Sequence, residues 1–202
     1  MTAKNHGSTP LPLSDASLIG RGLSKAVYAH PDDAALCVKI IENDNNDWRR
    51  ELSYRKVRKR HGLTDGAIPV YYGPVETTLG EGFLFECIRD YDGAASATLA
   101  DMLSGEDAER IAETALPKLR RLLMDERVIL SDPNPDNFLV QKTAPDAFRL
   151  RVIDGLGTHA TIPLMYWFDF MAKQYVRRFW NQRFRRKLSE KFPDALKYAG
   201  FL

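Results

Sequence analysis

The sequence predicts an α+β fold in which an antiparallel sheet with one helix precedes a mainly helical region. Short apolar segments bounded by Gly- or Asp-rich turns fill the chain up to residue 88, and such segments are typical of antiparallel strands. From residue 99 onward, apolar residues recur every three or four positions, which is typical of amphipathic helices. The polar, turn-rich segment 89–93 separates the two patterns, and we expect a boundary between two lobes there.

The first part of the chain, residues 13–88, is expected to form the lobe that contains the sheet. Apolar segments predict five strands, at 17–19, 26–29, 35–41, 70–73 and 82–88. The Asn- and Asp-rich loop 43–47 predicts the start of one helix, which carries Trp48 and Glu51. Residues 1–12 are polar and lack the apolar core of a secretion signal, so we expect them to form a flexible tail.

The second part, residues 89–202, is expected to be helical around a single hairpin. A short helix is predicted near residues 99–103 and a longer one at 108–123. Pro117 lies inside the longer pattern and should kink or interrupt that helix, because proline lacks the backbone donor and clashes with the preceding turn. A basic helix from Leu164 to about Lys191 completes the prediction.

The composition is that of an ordinary globular protein, with 44% hydrophobic and 28% charged residues among 202. No apolar run approaches the roughly 18–20 residues that span a bilayer. Cys37 and Cys87 lack metal-ligand spacing, so we expect reduced thiols in a cytoplasmic protein. Net charge is only +2, but residues 48–61 and 173–187 each contain seven basic residues.

A Pro-rich loop between two apolar strands carries the most informative side chains. Asp132 and Asn137 lie five positions apart in this loop, and Pro133 and Pro135 stiffen it. A hairpin between strands that begin at 138 and 148 would bring Asp154 beside Asn137. Because an Asp and an Asn oxygen suit Mg²⁺, a hard oxygen-seeking cation, Asn137 and Asp154 are the predicted metal ligands. Taken alone, an Asx-Pro turn and a simple Asp-Gly turn explain the same residues.

Kinase-type phosphotransferases use this layout, and two further positions fit it. Asp132 would accept the proton of the acceptor hydroxyl. Lys39, at the end of an apolar strand, would hold the nucleotide phosphates, and Glu51 would orient Lys39. The alternative for these two is a lysine that closes a strand and a glutamate on a solvated helix face.

A glycine turn precedes the lysine strand and predicts the nucleotide-covering loop. Glycines let backbone N–H groups approach phosphate oxygens, although Lys25 stands at the usual third glycine and a plain hairpin turn fits as well. Strand alternation places Cys37 on the side of Lys39, where it would face the adenine. The predicted nucleotide-binding residues are therefore Gly20, Gly22, Val27, Cys37, Lys39 and Glu86.

Together these motifs resemble the protein-kinase-like superfamily over nearly the whole chain. More narrowly, the chain is similar to the PhoP-regulatory-network protein YrbL family, on the opening Leu-Ser-Asp, the loop from Ser131 to Val140 and the short basic C-terminus. The resemblance implies a minimal kinase-like bilobal fold, ATP and Mg²⁺ as cofactors, and a bacterial cytoplasmic protein under a PhoP-type regulon.

The sequence departs from a protein kinase near the loop. Ser131 stands where an arginine usually precedes the catalytic Asp, so nothing there would pair with a phosphorylated loop. Asn134 replaces the lysine that neutralises the transferred phosphate, and Arg21 and Lys25 are candidates to supply that charge. Only Gly155 to Pro163 separates Asp154 from the next helix, which is too short for a peptide-docking platform.

The resulting hypothesis is an ATP- and Mg²⁺-dependent phosphotransferase whose acceptor is a small molecule, a head group or the protein itself. The alternative is a pseudokinase, a nucleotide-binding regulatory module without catalysis. For the basic helix 164–191, packing on the helical lobe is one interpretation and docking on an anionic membrane surface or an acidic partner is another. Nucleic acid is the third, although the sequence contains no dedicated motif for it.

Overall fold

The structure, a computed structural model, describes residues 9–43, 47–63, 66–160 and 163–200. Its fold is α+β with antiparallel sheets and several helices, as the sequence predicts. The chain forms two compact units: the described residues of Met1–Asn45 and Val70–Cys87 make up the first, and those of Asn46–Pro69 and Ile88–Leu202 make up the second. Most of the predicted tail and the centre of the predicted capping loop, residues 1–8 and 44–46, lie outside the described residues.

The first unit is a five-stranded antiparallel sheet. Its strands are β1 (Leu18–Arg21), β2 (Lys25–Ala29), β3 (Leu36–Ile41), β4 (Tyr71–Thr77) and β5 (Gly80–Glu86), in the order β1-β2-β3-β5-β4. All five overlap the predicted strands. Leu11 exchanges backbone hydrogen bonds with Glu76 and Thr78 and so attaches the start of the described chain to β4.

The two faces of this sheet differ in chemistry. Because side chains alternate along a strand, residues that are paired across the sheet share a face. One face is apolar and forms the small core of the unit, with Leu13, Ala26, Tyr28, Val38 and Ile40. The opposite face carries Lys25, Val27, Cys37, Lys39, Phe83 and Phe85.

The second unit contains the helices and a three-stranded sheet, in the order β6-β7-β8. Its elements are α1 (Asp47–Arg60), β6 (Ala97–Thr98), α2 (Leu99–Ser104), α3 (Ala108–Asp125), β7 (Phe138–Ala144), β8 (Ala147–Val152), α4 (Asp169–Arg178) and α5 (Arg185–Lys191). Short 3-10 turns lie at Pro135–Asn137, Leu164–Tyr166 and Pro193–Tyr198, and a π-helical segment, Phe179–Phe184, joins α4 to α5.

Helix α3 runs through Pro117 without interruption, so the predicted break is wrong. Proline removes the hydrogen bond to the carbonyl of Glu113 four residues earlier, but both positions are exposed to solvent. Water can therefore satisfy that carbonyl. The opposite side of α3 is buried along its whole length, and this packing holds the helix together; its buried residues are Ile111, Ala112, Ala115, Leu116, Leu119 and Leu123.

The basic C-terminal helix begins at Asp169, five residues later than predicted. Leu164–Tyr166 form a separate turn, and the extended backbone of Phe168 divides that turn from α4. Packing on the second unit is confirmed for the later aromatic residues, because Phe179, Trp180 and Phe184 are buried. The packing interpretation is wrong for Trp167 and Phe168, because their side chains are exposed. Among the described residues, no helix has both the length and the apolar character needed to cross a membrane.

Candidate active site

The β7–β8 hairpin fixes the position of Asp154. Phe138 of β7 pairs with Val152 of β8. Just beyond this pair, the backbone N–H of Ile153 donates to the carbonyl of Asn137 at 2.9 Å. The hairpin therefore places Asp154 next to the end of the Pro-rich loop, the arrangement that the sequence predicts.

Gly155 shows how closely the loop and the hairpin approach each other. Its φ is +73°, and a Cβ built on it would lie 2.9 Å from Asn137 Nδ2 and 3.1 Å from Asp132 Cβ. The carbonyl of Gly155 also accepts a hydrogen bond from Ser131 N at 2.8 Å. Only glycine suits both the backbone conformation and the space, so Asp132, Asn137 and the Asp154-Gly155 turn converge on one point.

Hydrogen bonds to nearby backbone groups orient the side chains of Asp132, Asn137 and Asp154. Asp132 Oδ1 accepts from the backbone of Asn134 at 3.1 Å, and Asn137 Nδ2 donates to the carbonyl of Asp132 at 3.4 Å. Asp154 Oδ1 accepts from the backbone of Gly155 at 2.7 Å. Asp132 is exposed, whereas Asn137 is buried.

The donor set suits a magnesium ion that a nucleotide brings with it. Because the amide nitrogen of Asn137 is used by Asp132, its amide oxygen is the atom left to act as a ligand beside the Asp154 carboxylate. Mg²⁺ commonly takes one or two such protein oxygens and completes its shell with phosphates and water. No cluster of three or more His, Cys, Asp or Glu side chains that could hold a metal alone occurs within the described ranges.

Ser131 is surrounded by cationic side chains from elsewhere in the second unit. Arg50 of α1 donates to Ser131 Oγ at 3.2 Å and lies 3.0 Å from a ring nitrogen of His159. Arg183 of the π segment donates to the Ser131 carbonyl at 2.5 Å. The loop itself lacks the arginine, and the cation nearest to Ser131 Oγ comes from α1, where Arg50 also forms an ion pair with Asp47 at 2.8 Å.

Lys191, at the end of α5, reaches the position at which the loop lacks its lysine. Its Nζ lies 3.2 Å from Asn134 Oδ1 and 3.6 Å from Asp136 Oδ2. Sequence analysis assigns this charge to Arg21 or Lys25 and misses Lys191, because a contact across 57 residues leaves no local pattern. In the first unit, Arg21 forms an ion pair with Glu42 at 3.3 Å and Lys25 is buried in β2.

Glu51 lies in α1 and is buried. Its Oε1 accepts hydrogen bonds from Arg55 Nη2 at 2.9 Å and Nε at 3.1 Å, and Arg55 in turn donates to the Pro69 carbonyl at 2.7 Å. Asp47, which begins the same helix, is a second acidic residue of α1. The Glu51 carboxylate is fixed by a buried ion pair inside the second unit.

Three of the predicted nucleotide residues form one row across the first sheet. Gly20 pairs with Val27, and Val27 pairs with Lys39. Lys39 is buried, and its Nζ lies 4.6 Å from the centre of the Phe85 ring. Lys25 lies on the same face two positions before Val27, so this face carries two lysines.

Cys37 and Glu86 contribute differently. Cys37 lies on the Lys39 face, as strand alternation predicts, and its Sγ lies 3.7 Å from the carbonyl of Glu86. The Glu86 side chain points away from this face, and its Oε2 accepts from the backbone of Val70 at 3.1 Å. Any contact of Glu86 with a nucleotide would therefore involve its backbone.

The glycines of the predicted nucleotide-covering loop are not required by the local fold. A Cβ on Gly20 would meet no atom within 4 Å, and one on Gly22 would meet only the Lys25 carbonyl at 3.8 Å. Neither has a positive φ. The space above both residues is open, and the backbone N–H of Gly22 donates to the Lys25 carbonyl at 2.8 Å.

The chain matches the sequence profile of the family described as PhoP regulatory network protein YrbL over residues 11–189. It belongs to this family. It is also 32% identical over 178 residues, 84% of each chain, to the proteins named "Uncharacterized protein YrbL" of Escherichia coli (strain K12) and Shigella flexneri.

Every predicted site residue lies inside the part that matches the YrbL family. Gly20 is the first of them and Asp154 the last. Arg50, which donates to Ser131 Oγ, lies inside it as well. Lys191 lies two residues beyond its end, so the profile match does not cover the lysine that contacts Asn134.

Proposed function

We propose that this chain is an ATP- and Mg²⁺-dependent phosphotransferase with a kinase-like bilobal fold, acting in the bacterial cytoplasm within a PhoP-type regulatory network. The observation that carries the proposal is the convergence of Asp132, Asn137 and the Asp154-Gly155 turn, where only glycine fits at residue 155. Phosphoryl transfer needs mainly positioning and charge stabilisation, and these three groups supply a base and two metal ligands.

In the second unit, the proposal gives Asp132 the role of general base. Its exposed carboxylate would accept the proton of an acceptor hydroxyl. The oxygens of Asn137 and Asp154 would hold Mg²⁺, which when bound neutralises phosphate charge. Gly155 keeps these groups together, and Arg50 and Arg183 hold the loop at Ser131.

In the first unit, the proposal assigns the nucleotide to the sheet face that carries the two lysines. Lys39 and Lys25 would balance the charge of the phosphates, and the backbone at Gly20 and Gly22 would cover them. Val27 and Cys37, on the same face, would border the base. In the second unit, Glu51, whose carboxylate is held by Arg55, takes the place that the kinase pattern gives to the acid paired with the lysine.

Lys191 would supply the positive charge that the loop lacks at Asn134. Its ammonium group contacts Asn134 Oδ1 and Asp136. Asn134 is two positions after the proposed base, Asp132, in the sequence. A lysine at this point of a kinase stabilises the charge that develops on the transferred phosphoryl group. Lys191 supports the proposal because it brings to the loop a charge of the sign that the reaction needs, from the distant helix α5.

The acceptor we propose is a small molecule, a lipid or sugar head group, or a side chain of the protein itself. Asp154 is followed after nine residues by the turn at Leu164–Tyr166. This segment is too short to hold an extended peptide beside the base, so a peptide acceptor does not fit.

A second candidate function is a nucleotide-binding regulatory module without catalysis. The composition of the loop supports it, because Ser131 and Asn134 stand where a kinase carries an arginine and a lysine. The two candidates share nucleotide binding and differ in turnover.

Measurement of the melting temperature with ATP, with and without Mg²⁺, tests the nucleotide site. We expect Mg²⁺·ATP to stabilise the wild-type protein, since a ligand that binds only the folded state raises its stability. Asp154→Ala should remove the Mg²⁺-dependent part of that shift. Asp146→Ala, in the exposed β7–β8 turn, is the matched control and should behave like the wild type. A wild type that ATP does not stabilise under any condition would refute both candidate functions.

A further inference from the structure

Four large apolar side chains are exposed within seven residues at the start of α4. Leu164 is 42% exposed, Trp167 56%, Phe168 57% and Phe170 73%. This aromatic cluster occupies the turn before the helix and the first turn of the helix itself. Large exposed apolar groups so close together are typical of a surface that binds a protein or a membrane.

The aromatic cluster is framed by positive charge on two sides. Phe170 shares the exposed face of α4 with Lys173, Gln174 and Arg177, since these positions are three or four residues apart. On the other side, the ring of His61 at the end of α1 lies 5.3 Å from the Trp167 ring. The exposed basic residues of the last turn of α1, Lys59 and Arg60, are adjacent to His61.

Negative charge is nearly absent from the same surface. In the described segments 52–63 and 163–189, Asp169 is the only acidic residue. Its Oδ1 forms an ion pair with Arg127 Nη1 at 2.6 Å, which compensates its charge. The surface is therefore complementary to a partner that is negatively charged and apolar beneath its charges.

The shape of the aromatic cluster favours a lipid bilayer over a protein. The cavity beneath Trp167 and Phe168 has a volume of about 30 Å³, room for little more than a water molecule. It cannot receive an anchoring side chain, whereas the four apolar groups project outward. Aromatic groups that project between basic residues are typical of helices lying in a membrane interface.

We propose that the aromatic cluster and its basic frame dock the protein peripherally on an anionic phospholipid surface. Leu164, Trp167, Phe168 and Phe170 would enter the interface between head groups and acyl chains. Lys173 and Arg177 on α4, with the basic end of α1, would contact the phosphate groups. Helix α4 would then lie parallel to the membrane plane, with its buried side still packed on the second unit.

Sedimentation with vesicles tests the proposal. The wild type should bind phosphatidylcholine vesicles that contain phosphatidylglycerol and should not bind vesicles of phosphatidylcholine alone. Trp167→Ala/Phe170→Ala should weaken binding about tenfold or more, because the buried apolar area is lost. Lys173→Gln/Arg177→Gln should weaken it about fivefold for each charge removed.

Matched controls separate docking from general effects. Tyr72→Ala/Tyr91→Ala removes aromatic rings of similar exposure, 57% and 56%, from other surfaces, and it should leave vesicle binding unchanged. Tryptophan fluorescence should shift to shorter wavelength on binding, and Trp167→Phe should lose this shift while still binding. Circular dichroism verifies that every variant is folded.

Three results would overturn the proposal. One is a wild type that fails to bind anionic vesicles. Another is an aromatic variant that binds as well as the tyrosine control. The third is a wild type that self-associates through this cluster and ignores vesicles, which would assign the surface to a second copy of the chain.

Discussion

Two glycine-containing turns, one in each unit, differ in what holds them. In the second unit, Gly155 is required by the fold, because a side chain there would collide with Asn137 and Asp132. In the first unit, Gly20 and Gly22 have open space around them and ordinary backbone angles. Packing thus explains the first glycine and leaves the others unexplained. The difference teaches that the two turns can be separated by experiment: a side chain at Gly155 should lower stability, whereas one at Gly20 or Gly22 should affect only the binding of a ligand.

The largest effect is expected at Gly155. Gly155→Ala forces a side chain into the left-handed region and into contact with Asn137 Nδ2, so the free energy of unfolding should fall by about 2 kcal/mol or more. Urea denaturation measures it. Gly93 has a φ of +87° but open space around it, so Gly93→Ala is the matched control. Its free energy of unfolding should fall only by the cost of the backbone strain. Equal losses in both variants would show that the close approach does not matter.

The next effect concerns the charge at the loop. Lys191→Met should lower the rate of phosphate transfer on the order of tenfold or more, because a cation beside the transferred group is lost. Nucleotide affinity should change little. A second substitution, Asn134→Lys, should restore the rate by returning the charge to the loop itself.

Failure of that rescue is informative. If Lys191→Met lowers stability as well as rate, and Asn134→Lys restores neither, Lys191 only holds Asp136 and α5 in place. Lys187→Met, on the preceding turn of α5, is the control for a general loss of positive charge and should keep the wild-type rate.

The open glycines should show the opposite behaviour to Gly155. Gly22→Ala should leave the free energy of unfolding within about 0.5 kcal/mol of the wild type. It should nevertheless weaken ATP binding, because the new Cβ occupies the space through which a phosphate reaches the backbone. Calorimetric titration with Mg²⁺·ATP measures the affinity. An unchanged affinity would mean that this turn is only a hairpin.

The smallest effect is expected at an exposed contact of the second unit. Hydrogen bonds from Lys197 and then Tyr198 hold the pKa of the Glu109 carboxyl below its usual range. Its contribution to stability is therefore present above the ordinary carboxyl pKa and is lost as the pH falls through the lowered value. Glu109→Gln should show a slightly lower melting temperature than the wild type at neutral pH, and the difference should vanish in acid. Glu113→Gln, exposed on the same helix, should differ from the wild type at neither pH.

Local patterns predict the hairpin and the loop well. Asp132, Asn137 and Asp154 lie within 23 positions of one another in the sequence, and alternating apolar residues fix the register that brings them together. The five strands of the first unit follow from equally short segments. Pro117 shows the limit of such rules, because solvent exposure and a long buried side outweigh the intrinsic cost of proline.

Residues that meet across long stretches of chain leave no such pattern. Arg50 reaches Ser131 over 81 positions and Lys191 reaches Asn134 over 57. Helical periodicity places Trp167 and Phe168 in an apolar pattern, but it does not reveal that both side chains are exposed in the folded chain. The charges around the loop and the exposed aromatic cluster are therefore properties of the folded chain.

Turnover of γ-labelled ATP by the wild type and by Asp132→Asn tests the central claim most directly. The account predicts that the wild type releases or transfers labelled phosphate in a Mg²⁺-dependent way. Asp132→Asn should bind ATP equally well but turn it over about a hundredfold more slowly, as expected when a general base is removed. A wild type that binds ATP without turning it over, or an Asp132→Asn variant with the wild-type rate, would contradict it.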